Sequence, residues 1–227
     1  MNPVASRYEA VLRRISDAAD VADRDPSEVT VVAVTKTVGV AEIRDARAAG
    51  IRDFGENRVQ EFLGKYGLFP DVRWHFVGTL QTNKVKDVVG RAHLIHSVDS
   101  ERLLEAVERR AAEAGVVQPV LLQVNVSGEE SKHGIAPRDA EEVLRASAGM
   151  EAVDVRGLMT MAPFEPRAEE VRPVFRECAS LFASLNAMRL NGVRLTELSM
   201  GMTNDFTVAV EEGATMVRVG RAIFGGR

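Results

Sequence analysis

The sequence predicts an α/β fold, a single (β/α)₈ TIM-type barrel spanning 1–227 with one extra helix in front. Three observations carry that reading. Short apolar, β-branched segments alternate with amphipathic ones along the whole chain. No Gly/Ser/Pro-rich linker or low-complexity stretch divides the 227 residues. No G-x-G-x-x-G follows the first strand, as an open dinucleotide-binding sheet would require.

From Asn2 to Asp23, the residues Val4, Tyr8, Val11, Leu12, Ile15 and Ala19 recur three or four apart, an amphipathic helix that Asp25-Pro26-Ser27 stops. Val29 to Thr35 is apolar on both faces, the mark of a strand in a parallel sheet covered by helices. Val40 to Ala49 reads as a helix closed by Gly50, and Arg52 to Gly55 as a short strand. A helix at 58–66, a strand at 73–77, a helix at 82–89 and a strand at 94–98 continue the rhythm. Ser100 caps a helix that runs to Ala114 and ends at Gly115. Pro119 to Val126 is a strand, and Pro137 opens a helix through Ala148. A strand at 153–160, a long helix at 169–188 and a brief strand at 196–199 follow, then a helix at 204–212 and the last strand at 215–219. Eight strands with seven helices between them, joined by short right-handed crossovers, suit a closed barrel.

Hydrophobic residues make up 45% and charged residues 27%, enough to bury a core without a metal or disulfide staple. The formal charge of −4 argues against a nucleic-acid or anionic-membrane partner. The one cysteine, Cys178, has no internal partner and fits a reducing compartment. No apolar run approaches the ~20 residues of a membrane span, and no signal-peptide pattern opens the chain. The expectation is a cytoplasmic protein, by default a monomer.

Barrel sites sit at the C-terminal ends of the strands. Lys36 ends the run VVAVTK, and period two puts it on one face with Val32 and Val34, so an inward Val34 brings the amine to the mouth. There it either snorkels to solvent or serves as a desolvated amine able to condense with an aldehyde. Two glycine-containing turns follow the last two strands, SMGMTN at 199–204 and RVGRAIFGG at 218–226. Loops at these two places often hold a phosphate, with Ser199 and Thr203 as hydroxyl donors and Gly201 and Gly220 admitting an anion to the backbone. The alternative is glycines that only close turns. Arg218 alternates with Val217 and Val219, so either it or they face inward, as half of an ion pair or against a bound aromatic ligand.

Glu56 reads as a base or a surface acid, Asn57 as a ligand contact or a helix cap, and His75 as a packed core histidine. Asn125 and Ser127 fall at the fifth strand's end. His93 and His96 face opposite sides of a strand and make a poor metal pair. Lys84, Lys86 and the pair Lys132-His133 attract an anion or simply face solvent. Serine-hydrolase and P-loop motifs are missing.

Seven ordered segments resemble one family: VAVTK, FGENRVQE, WHFVGTLQTNK, LLQVNVSGEESKHGI, RGLMTMAP, LSMGMTNDF and MVRVGRAIFG. The chain is similar to the pyridoxal phosphate homeostasis proteins, whose barrel is like the N-terminal barrel of alanine racemase. The resemblance implies that Lys36 carries pyridoxal 5′-phosphate (PLP) as an internal aldimine. It also implies that Ser199, Thr203 and the backbone around Gly220 and Arg221 bind the phosphate, with the Arg221 side chain adding charge. Arg218 would face the pyridine nitrogen and Asn57 the ring or its phenolic oxygen.

An arginine at that nitrogen disfavours ring protonation and weakens the electron sink that PLP enzymes use. A racemase also needs a second base, which alanine racemase draws from an added domain. Here the sequence ends at Arg227, and its tyrosines, Tyr8 and Tyr66, fall in helices away from the mouth. The expectation is a PLP carrier that supplies apoenzymes, without robust catalysis. A low-activity amino-acid racemase and a sugar-phosphate barrel using Lys36 as its amine are the alternatives.

Overall fold

Parallel pairing runs β1-β2-β3-β4-β5-β6-β7-β8 and returns to β1, closing the barrel. The computed structural model describes residues 3–129 and 133–225. Its strands are β1 (Thr30–Val34), β2 (Asp53–Glu56), β3 (Arg73–Phe76), β4 (Leu94–Val98), β5 (Gln118–Gln123), β6 (Val153–Met159), β7 (Glu197–Met202) and β8 (Met216–Val219). Lys132 and Gly226 lie outside the described residues.

Helix α1 (Pro3–Val21) precedes β1. The others are α2 (Val40–Ala48), α3 (Val59–Tyr66), α4 (Val85–Val88), α5 (Glu101–Ala114), α6 (Ala140–Ser147), α7 (Arg172–Ala187), α8 (Phe206–Glu211) and α9 (Arg221–Phe224). Three predicted helices begin with a 3₁₀ turn, at 82–84, 137–139 and 168–171, and α9 was not predicted. Four residues are too few to show a helical period. The fifth strand is shorter than expected: the Val124 N–H still donates to Met159 O, but from Val124 on the chain pairs with Ile135 in an isolated bridge.

Period two sorts each strand into an outer and an inner set. Val31, Ala33, Phe54, Trp74, Phe76, Ile95, Val217 and Val219 face outward and join the main core beneath the helices. The register sets Val34 beside Gly55, Gly55 beside His75, His75 beside Leu94, Met159 beside Ser199 and Ser199 beside Met216, so these share the inner face. Leu94, Leu121, Met159 and Met216 form a separate apolar cluster inside the barrel. Arg218 points inward with Val32, its register partner, which settles the alternation left open by the sequence.

Helix α1 buries Val4, Val11, Ile15, Ala18 and Ala19 and braces the last two βα units. The Arg14 guanidinium lies 4.4 Å over the Phe206 ring, and Arg24 Nη1 donates to Val210 O at 2.6 Å. The extra helix therefore holds α8, and the residues just before it, Met202 to Asp205, line the cavity. Cys178 is buried, and burial pushes its thiol up to about 12, where it is unreactive at neutral pH. No helix among the described residues is long and apolar enough to cross a membrane.

Candidate functional site

A cavity of about 720 Å³ opens at the C-terminal mouth of the barrel. That volume falls within the range of small-molecule sites. Val34, Lys36, Asn57, Thr203, Arg218, Gly220 and Arg221 all line it. The loop from Met161 to Glu165, with Phe164 77% exposed, forms the opposite wall. Among the described residues, the lining carries four cationic side chains (Lys36, Arg58, Arg218, Arg221) against two acidic ones (Glu165, Asp205). That excess of positive charge suits an anion.

Lys36 sits two residues past β1, exposed at the mouth, on the face it shares with Val34. Its backbone is clamped on both sides. Thr35 Oγ1 donates to Glu56 Oε1 at 2.5 Å, and Lys65 Nζ donates to Thr35 O at 2.8 Å and to the same Glu56 oxygen at 2.6 Å. On the other side the Thr37 N–H donates to Glu61 Oε2 at 3.0 Å, and Thr37 takes φ +61°, a conformation disfavoured for a β-branched residue. Burial raises the Glu56 carboxyl, although Lys65 and Thr35 partly offset it; the Thr37 N–H lowers Glu61. Glu56 is thus neither a base nor a surface acid: it lies inside the wall and fixes the segment that presents Lys36.

At the far rim, Thr203 is half-buried and faces the cavity with Asn204 and Asp205. Asp205 Oδ1 accepts from the Met202 N–H at 2.6 Å, and burial raises its carboxyl. Gly220 caps α9; its carbonyl accepts from the Ile223 and Phe224 N–H groups, and the Arg221 and Ala222 N–H groups have no acceptor within the helix.

Two expected phosphate contacts are corrected. Ser199 is fully buried inside the barrel, off the cavity wall, with its oxygen engaged by Arg218 and His96. Gly201 is also off the wall. It takes φ +89°, and a Cβ there would lie 2.5 Å from Ala209 Cβ, so its glycine serves the packing of α8 rather than an anion. Both fall on the inner or rear side of a strand whose neighbours, Thr203 and Asn204, hold the rim.

Arg218 is 4% exposed at the cavity floor. Its Nη1 donates to Ser199 Oγ at 2.6 Å and its Nη2 to Thr160 O at 2.8 Å. Burial pulls the guanidinium down to about 10, with Asp205 partly offsetting, and it stays charged at neutral pH. Asn57 holds a buried Oδ1 without a hydrogen-bond partner on the cavity wall, an acceptor waiting for a donor. Gly78 makes its position possible, since a Cβ at 78 would meet Asn57 O at 2.1 Å.

The histidines differ from their expected roles. His75 is fully buried, yet polar rather than merely packed: its Nε2 lies 3.0 Å from Asp53 Oδ1 and its Nδ1 2.9 Å from His96 Nε2. His93 does not turn away from this group, because its ring centroid lies 5.5 Å from that of His75. No group of three metal-binding side chains occurs among the described residues. Asn125 donates to Glu129 O and accepts from Ser127 Oγ within its own loop, and Lys84, Lys86 and His133 are exposed off the cavity. Gln123, Arg58 and the 161–165 loop are wall residues that the sequence reading missed. Ending β5 at its observed last residue would have found Gln123.

The N-terminal domain of alanine racemase is the family model that matches, over residues 7–227. The chain is 44% identical over 223 residues to the pyridoxal phosphate homeostasis protein of Aquifex aeolicus, covering 97% of each. It is 40% identical over 231 residues to the protein of that name in Pseudomonas aeruginosa, covering 100% of this chain and 97% of the relative. Among solved structures it is similar to PipY of Synechococcus elongatus with PLP bound, at TM-score 0.84 and 39% identity over 98% of this chain and all of that one.

Proposed function

Because the chain belongs to the alanine racemase N-terminal domain family, and within it to the pyridoxal phosphate homeostasis proteins, we propose that it binds PLP reversibly and takes part in its supply. The observation that carries this reading is the convergence on one cavity of an amine, a buried guanidinium, an unpartnered acceptor and an anion rim.

The residues fit the cofactor group by group. Lys36 would hold it covalently through Nζ, its backbone fixed by Thr35, Glu56, Lys65 and Glu61. The Thr203 hydroxyl, the N–H groups around Gly220 and Arg221 and the Arg221 charge would hold the phosphate. Asn57 Oδ1 would accept a hydrogen bond beside the ring's phenolic oxygen, and Arg218 would face the ring nitrogen. When bound, PLP supplies an aldehyde that condenses reversibly with amines and a ring that draws electron density.

Arg218 keeps its proton at neutral pH, so it offers the ring nitrogen a donor and repels a second positive charge there. Neither tyrosine lines the cavity: Tyr8 lies in α1 and Tyr66 in α3. Both features favour holding over turnover, and the protein acts in this reading as a single-domain, monomeric PLP carrier for apoenzymes rather than as a racemase. Titration of the purified protein with PLP tests the site. The wild type gains a saturable visible absorption band, and Lys36→Ala does not. An equal band in Lys36→Ala would overturn the assignment of that lysine.

A further inference from the structure

Inside the barrel, below the cavity, one hydrogen-bonded file runs through residues from five strands. Arg218 Nη1 lies 2.6 Å from Ser199 Oγ, and Ser199 Oγ 2.9 Å from His96 Nδ1. His96 Nε2 lies 2.9 Å from His75 Nδ1, and His75 Nε2 3.0 Å from Asp53 Oδ1. The step from His96 on β4 to Ser199 on β7 crosses the lumen, bypassing β5 and β6. All five side chains are buried.

The two ends constrain the protons between them. A guanidinium only donates and a carboxylate only accepts. Ser199 Oγ accepts from Arg218, and its own O–H is placed to donate to His96 Nδ1. His96 then carries its proton on Nε2 and donates to His75 Nδ1, and His75 carries its proton on Nε2 and donates to Asp53. In that arrangement every site is filled and neither ring needs a second proton. A second proton on His75 would reverse the two middle bonds, with His75 donating to His96 and His96 to Ser199 Oγ. Burial above all, with Arg218 nearby, drives the His96 pKa well below its ordinary value, so His96 carries a single ring proton at neutral pH.

The charged and titratable groups around the file act at its ends. Arg73 binds Asp53 through two nitrogens, Tyr8 feels Asp53 through space, and His93 lies beside His75. At the other end Asp205 and Cys178 face Arg218. The hydrogen-bond acceptors of Arg218 are a hydroxyl and a carbonyl, not a carboxylate, although a buried guanidinium needs compensation. The aligned file presents its acceptor end to Arg218 and its donor end to Asp53, carrying part of the carboxylate's field up the barrel.

We propose that Asp53, His75, His96 and Ser199 act as positioning residues for Arg218, setting the aim and charge of the guanidinium that meets the cofactor ring although none of the four lines the cavity. The inference rests on the PLP reading above, and its test separates the two. In protein without PLP, histidine ¹⁵N spectra show His75 and His96 both neutral with the proton on Nε2. In PLP titrations, His96→Leu and Ser199→Ala each bind about threefold or more weakly and move the pH midpoint of the visible band. His96→Gln restores both, because its amide accepts from Ser199 on one side and donates to His75 on the other.

Should His96→Leu not fold, Ser199→Ala, which removes one oxygen, decides. Wild-type affinity and midpoint in Ser199→Ala, whatever its melting temperature, would overturn the proposal. A histidine protonated on Nδ1 at neutral pH would do the same. Failure of the wild type to take up PLP would instead overturn the cofactor reading, and this one with it, while the ¹⁵N result still reports on the file itself.

Discussion

The lumen of this barrel is filled in two ways. Leu94, Leu121, Met159 and Met216 pack as an apolar plug. Interleaved with them, Asp53, His75, His96, Ser199 and Arg218 join end to end through polar atoms. The plug is held by contact and dispersion, which have no direction, so its members need only the right volume. The polar file is held by bonds with a donor and an acceptor each, and one wrong partner strands a buried group. Volume serves the fold, whereas direction serves the site above it.

Leu121→Ala breaks the plug and should show the largest effect. It loses about 2–5 kcal/mol of unfolding free energy, read from denaturant midpoints, with PLP affinity unchanged. A parallel loss of affinity would mean that the two sets are not separable.

Acid sharpens the contrast, because only the polar set titrates. His96 is held neutral in the fold while the unfolded chain takes up a proton below about 6.5, so stability falls as pH drops through that value. The limiting slope is about 1.4 kcal/mol per pH unit for one proton. Burial would raise Asp53, yet Arg73 and His75 outweigh it and hold the carboxyl at about 2. Its ionised form therefore stabilises the fold above its ordinary value of 3.8, and that contribution is lost between there and about 2. Unfolding curves across pH should show His96→Gln flattened between pH 6.5 and about 5, relative to wild type. An unchanged slope would assign the acid sensitivity elsewhere. The smallest effect belongs to Met159→Leu, a near-conserved volume in the plug, which should cost less than about 1.5 kcal/mol and leave the pH profile as it is.

The same contrast explains what the sequence disclosed. Strand segments and the inward set of β1 follow from local alternation, so all eight strands and the placement of Lys36 beside Val34 were legible. The polar file was not, since its members lie on five strands and the His96–Ser199 step joins residues 103 apart. His75 reads in isolation as a packed ring because its partners are fixed only by barrel closure. Ser199 and Gly201 were misplaced for a related reason: a glycine turn looks alike whether it opens to an anion or, as at 201, to the Cβ of a following helix. The clamp on Lys36 was hidden too, because Lys65 reaches Glu56 and the Thr35 carbonyl only once α3 packs against β2.

Everything at the mouth depends on one nitrogen. Borohydride reduction of PLP-loaded protein, followed by peptide mapping, reads it directly. The account predicts a single pyridoxyl label on the peptide bearing Lys36 and none in Lys36→Ala. A label on Lys65 or on a surface lysine, with Lys36 unmodified, would contradict it.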